Sequence, residues 1–134
     1  MAQKIINKIL RKLKLIEKHD SFINEKLDDL EFKMQKISNN KILNGHYKGT
    51  YLSCKTNWKS RDHCPKLLGI YENQVQEKII QEKKKNNLAN IVNFGAADGY
   101  HILGLIKNSI FEKGYAFEID QKTKEYLEEN IFKN

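Results

Sequence analysis

Apolar residues recur along the first forty positions at Ile6, Ile9, Leu13, Ile16, Ile23, Leu27, Leu30, Met34 and Ile37, in alternating steps of three and four. A 3.5-residue repeat keeps one stripe facing a partner helix over several turns, the signature of a coiled coil. No glycine or proline falls between Ala2 and Asn40, so the pattern predicts one long helix over 1–40 or two helices hinged near "HDS". Asp20 stands where the next apolar residue is due and is the one break in the series. The same stripe would serve a helix packed on its own domain, because helices take most of their stability from such packing.

The pattern changes over 41–70. Gly45, Gly49, Pro65 and Gly69 punctuate this stretch, and "HYKGTYLS" has the composition of a strand, which predicts an extended arm or hairpin followed by a loop. Helical spacing returns in "YENQVQEKIIQEKKKNN", with Val75, Ile79 and Ile80 roughly on one face. Lys83, Lys84 and Lys85 fall near the end of that helix, where positive charge suits the dipole.

Residues 89–134 alternate in period. "ANIVNF" reads as a strand, "DGYHILGLIKN" as a helix, "GYAFEI" as a second strand and "DQKTKEYLEENIFK" as an amphipathic helix. This order predicts an α/β fold with parallel strands. Three segments result: helical 1–40, an arm and loop over 41–70, and an α/β portion with its leading helix over 71–134.

Composition adds limits. The chain has 134 residues, 40% hydrophobic and 31% charged, and no apolar run reaches the ~18 residues of a membrane span. Lysines interleave with isoleucines at the start, unlike a secretory signal, so a cytoplasmic setting is expected. The net charge of +7 is uneven: residues 1–18 carry six basic groups against one acidic, and residues 91–134 five against seven. A basic front could meet nucleic acid, an anionic membrane surface or an acidic partner, although such a run also makes an ordinary solvated face. Cys54 and Cys64 are too few for a disulfide framework, and with His46 and His63 they lack the spacings that close on one ion, so no metal is expected.

The candidate chemistry lies in "FGAADGY". A glycine turn between strand and helix makes a backbone-lined pocket at a helix N-terminus. Gly95 can take a turn conformation that a side chain would obstruct, and Gly99 allows a close approach of backbone to ligand or to neighbouring structure. Glu118 ends the second strand, where a carboxylate accepts hydrogen bonds from a ribose and disfavours a ribose phosphate. Asp120 instead suits the cap of the helix after it. The dinucleotide fingerprint G-x-G-x-x-G fails at Ala97 and Tyr100, so a ligand with a ribose and no pyrophosphate is the better match.

These residues resemble the class I, Rossmann-like S-adenosylmethionine-dependent methyltransferases. "VNFGAADG" is similar to their first motif and "GYAFEID" to their second, over residues 90–134, and "PKLLGIYENQVQEKI" looks like a segment that leads into the first motif in some members. The resemblance implies S-adenosylmethionine as cofactor and an unknown methyl acceptor. It places Asn93, Gly95, Ala96, Ala97, Asp98, Gly99 and Glu118 around the cofactor, the two glycines against the methionine portion and Glu118 on the ribose. Asn93 departs from the family's acidic residue, keeping an acceptor but losing the charge that would favour an ammonium group. The family sheet has seven strands and this chain supplies two, so an incomplete domain, inactive alone, is expected.

No catalytic residue is assigned. Tyr100 and His101 adjoin the loop, and Tyr71 and Glu72 could cover the cofactor or simply begin a helix. Two other readings stand beside the methyltransferase: a nicotinamide-nucleotide-binding fragment, and a non-enzymatic protein that self-associates through residues 1–40 and carries a remnant α/β domain.

Overall fold

The computed structural model describes residues 21–53 and 60–134. Within them lie five helices and a two-stranded parallel sheet: α1 over 21–38, α2 over Ser60–Leu68, α3 over Asn73–Asn86, β1 over Asn90–Phe94, α4 over Tyr100–Lys107, β2 over Lys113–Phe117 and α5 over Gln121–Lys133. The fold is a small α/β arrangement in which a β-α-β unit follows an N-terminal helix. No helix among the described residues is long and apolar enough to cross a membrane.

The expected helix over 1–40 is present in its described part, while residues 1–20, with their lysines and the Asp20 break, lie outside the described residues. The apolar stripe on α1 is only partly covered. Ile23, Leu27 and Met34 are half-buried and Ser38 is buried, whereas Leu30 and Ile37 are 47% and 71% exposed. The body of the protein thus meets α1 to one side of its stripe.

Residues 41–53 turn back on themselves, as the expected hairpin would, but pair through a single antiparallel bridge, Lys41 with Tyr51. They are core rather than a projecting arm: Ile42, Tyr47, Thr50 and Leu52 are all 1% exposed or less. Tyr47 enters the body over Gly104 of α4, where a Cβ would lie 2.2 Å from the ring. A glycine is therefore what lets the phenol ring lie flush on the helix.

The loop expected after this arm is a helix. Residues 60–68 form α2 despite Pro65, because the helix buries His63, Cys64, Lys66 and Leu67 and is tied at its end by Leu43 N–H donating to Leu67 O at 2.8 Å. Proline near the end of a short helix removes one hydrogen bond, a cost that burial of this face offsets. Three of those four buried residues are not aliphatic, so no apolar period announced the element.

The α/β portion follows the pattern in the chain. β1 and β2 pair in parallel, Asn90 against Lys113 through Phe94 against Phe117, and α4 packs on one face. Ile91 and Ala116 point towards that face, while Val92, Phe94, Tyr115 and Phe117 are exposed on the other. The rings of Phe94 and Phe117 stack there with centroids 5.1 Å apart. Asp120 caps α5 as expected, accepting the Thr123 N–H at 2.8 Å and its hydroxyl at 2.6 Å. The far end of α5 is anchored to residues 51–53: Asn130 Oδ1 accepts the Ser53 N–H at 2.7 Å, and Asn134 exchanges two hydrogen bonds with the Tyr51 backbone.

Candidate functional site

The glycine loop forms the floor of a pocket of about 200 Å³. Asn93, Gly95, Ala96, Ala97 and Asp98 contribute to it from β1 and the loop, while Asp62, Lys66, Tyr71 and Glu72 close it from α2 and the turn before α3. Tyr100 and His101, from the first turn of α4, complete the lining. Five of the seven residues expected around a cofactor thus share one cavity.

Gly99 and Glu118 stand elsewhere. Gly99 has φ of 85° and packs away from the pocket, where an added Cβ would meet Leu127 at 2.7 Å and Leu103 at 2.8 Å. Its close approach is to α5 and to its own helix. At Gly95, with φ of 71°, an added Cβ would meet nothing within 4 Å, so this glycine answers a backbone requirement beside open space. Glu118 sits at the loop's edge: its Oε2 accepts the Ala97 N–H at 2.8 Å and its Oε1 accepts the Asp120 N–H at 2.9 Å. Those N–H groups, Asp120 first and Ala97 second, hold its carboxyl below the usual glutamate range.

Five amides of the loop and the helix start are already engaged. Gly95 and Ala96 both donate to Phe117 O, at 2.8 and 3.0 Å, Ala97 donates to Glu118, Gly99 to Ala96 O, and Tyr100 to Asp98 Oδ1. An anion cradle at a helix N-terminus needs such N–H groups turned towards the ligand. Here these five serve the fold.

The charged groups divide into neutralised and outward-acting. Lys66 Nζ lies 2.7 Å from Asp98 Oδ2, and both side chains are buried, at 7% and 2% exposure. The same ammonium lies 5.2 Å from the Tyr71 ring centre and 5.7 Å from that of Tyr100, within reach of both aromatic faces. Asp98 is fixed further by its backbone carbonyl, which accepts Asn130 Nδ2–H at 2.8 Å. Asp62 and Glu72 contribute two more carboxylates to the lining.

Glu72 is held by an aromatic and histidine assembly. It has φ of 48° and ψ of 40°, a left-handed conformation that costs a residue with a Cβ about 1–2 kcal/mol. His101 Nε2 is 2.7 Å from Glu72 Oε2, and His101 Nδ1 is 3.1 Å from the hydroxyl of Tyr47. A carboxylate can only accept, so Nε2 carries a proton and donates to Glu72. Burial pushes the Tyr47 and Tyr100 phenols far above their ordinary range, so both are neutral donors. The Tyr47 hydroxyl engages Nδ1 on the other side of the ring. With both ring nitrogens engaged, His101 is a brace for Glu72 rather than an available base.

Gln76 secures the same wall. It is completely buried on α3, and its Nε2 donates to Tyr71 O at 2.7 Å and to Tyr100 Oη at 3.0 Å. The expected apolar face of this helix is less covered: Val75 is exposed, while Ile79 packs on the core. A second hollow, of about 360 Å³, lies between α4, β2 and α5, with Ile102, Ile106, Leu127 and Ile131 as walls and Glu118, Lys124 and Glu128 at its rim.

Among the described residues no group of three or more His, Cys, Asp or Glu is arranged to hold a metal ion. Cys64 is a buried thiol pushed up by burial, and Cys54 lies outside the described residues. Asp62 and Lys66 join the pocket without a signal in the sequence, because they come from the segment that reads as loop.

Against family models, curated proteins and solved structures alike, the chain has no match.

Proposed function

We propose that the pocket over the glycine loop binds S-adenosylmethionine and that the protein is a methyltransferase-like protein acting on an unknown acceptor. The observation that carries this reading is the engagement of the Gly95, Ala96 and Ala97 amides by Phe117 O and Glu118, which leaves the floor without those donors for a phosphate. The walls present carboxylates. A pyrophosphate would meet repulsion there, whereas a ligand with an ammonium and a sulfonium would be attracted.

Glu118 supports the ribose end. An ionised carboxylate has about four acceptor positions, and Glu118 uses one on each oxygen for Ala97 and Asp120. A ribose diol can donate to those that remain. The pocket's volume of about 200 Å³ is below the ~300–1,000 Å³ of complete small-molecule sites. It suits the amino-acid end of the cofactor, with the nucleoside passing out beside Glu118. Replacing Glu118 with alanine tests this: the account expects S-adenosylmethionine affinity to fall by roughly tenfold, the worth of charge-assisted hydrogen bonds. Unchanged affinity would remove Glu118 from the site.

A nicotinamide dinucleotide is the weaker reading, since its pyrophosphate lacks a cradle. Self-association through α1 is a separate reading, favoured by the exposed Leu30 and Ile37 on a stripe with a 3.5-residue repeat. It is compatible with either ligand.

A further inference from the structure

We infer that Glu72, braced by His101, supplies from the opposite wall the negative charge that Asn93 lacks, and that it is the residue recognising the cofactor's α-ammonium group. The inference rests on the S-adenosylmethionine reading and adds a residue to it. Asn93 and Glu72 line the same cavity, one at the end of β1 and the other in the turn before α3. Asn93 offers an amide oxygen without charge. Asp98 is the loop's own carboxylate, and its charge is matched by Lys66 at 2.7 Å in a buried pair. It therefore attracts a second cation weakly.

Glu72 differs in three respects. Its side chain is 43% exposed and lines the cavity, so it can meet a ligand. Its partner His101 is held at both ring nitrogens, by Tyr47 and by Glu72 itself, so the hydrogen bond orients the carboxylate towards the cavity. Its left-handed backbone is strained, and the surrounding structure pins it through Gln76 on Tyr71 O and through His101. Glu72 Oε2 accepts the imidazole N–H, and the Tyr71 phenol stands beside the same carboxylate. Asp62, on the same side, adds to the negative potential.

The test is calorimetric titration of the full chain with S-adenosylmethionine and with S-adenosylhomocysteine, which share the ammonium and differ in the sulfonium. Glu72→Gln keeps the shape and removes the charge. Both ligands should weaken by roughly tenfold. Adding Asn93→Asp to Glu72→Gln should restore most of the affinity, a rescue that a merely structural role for Glu72 would not produce. Wild type that binds both ligands, with Glu72→Gln binding them equally well, would overturn this inference and leave the cofactor reading standing. A loss confined to S-adenosylmethionine would place Glu72 on the sulfonium and overturn the ammonium assignment. Wild type that binds neither ligand would overturn both the inference and the reading beneath it.

Discussion

Lys66 and Asp98 form an ion pair of 2.7 Å in which neither side chain is more than 7% exposed. The pair joins α2 to the glycine loop, and Asp98 Oδ1 at the same time accepts the N–H of Tyr100 at the start of α4. One carboxylate therefore fixes the loop to two helices.

Breaking such a pair from one side leaves a buried charge uncompensated, which costs about 3–5 kcal/mol. Lys66→Met is expected to destabilise the protein on that scale in urea unfolding. The double variant Lys66→Met with Asp98→Asn should recover part of the loss, because asparagine can still accept from Tyr100 without a charge. Equal stability of the single and double variants would contradict this role.

His63 is 1% exposed, and neither ring nitrogen has a hydrogen-bond partner among the described residues. Burial lowers its pKa, more than the Glu31 and Asp98 carboxylates nearby raise it, and Lys66 lowers it further. With the folded pKa below the unfolded value, the unfolded chain binds the proton more readily. Stability is then full above about pH 6.5, the unperturbed histidine value, and declines as the pH falls through the folded pKa. His63→Leu should flatten the decline in stability between pH 7 and 5. An unaltered slope in that variant would show that other groups produce it.

The α/β half was legible because its pattern switches cleanly, from a short apolar run with β-branched residues at its centre in "NIVNF" to helical spacing in "YHILGLIK", with glycines at the change. Asp120 was legible as a cap from position alone, since capping is a local matter. α2 was not legible, because what it buries is His63, Cys64 and Lys66, residues whose burial depends on partners 32 positions away in the case of Lys66 and Asp98. The same holds in the site. The loop residues Asn93 to Asp98 announce themselves by glycine spacing, whereas the link between Glu72 and His101 spans 29 positions and leaves no periodic trace. Tyr47, which completes that link, lies 54 positions before His101 in a stretch that reads as an arm.

The exposed part of the α1 stripe makes a separate claim on solution behaviour. Leu30 and Ile37 lie seven residues apart, one seam of a paired helix, and Lys26 and Glu31 flank it with opposite charges. Sedimentation of the full chain should show self-association that Leu30→Lys with Ile37→Lys reduces. A monomer in both forms would remove the coiled-coil reading and leave the pocket untouched.

The pocket itself faces the most direct test in a pair of calorimetric titrations on the wild-type chain, one with S-adenosylmethionine and one with NAD. Loop amides engaged by Phe117 and Glu118, with carboxylates in the walls, predict saturable binding of S-adenosylmethionine and little or none of NAD. Binding of NAD with S-adenosylmethionine inert would contradict the account.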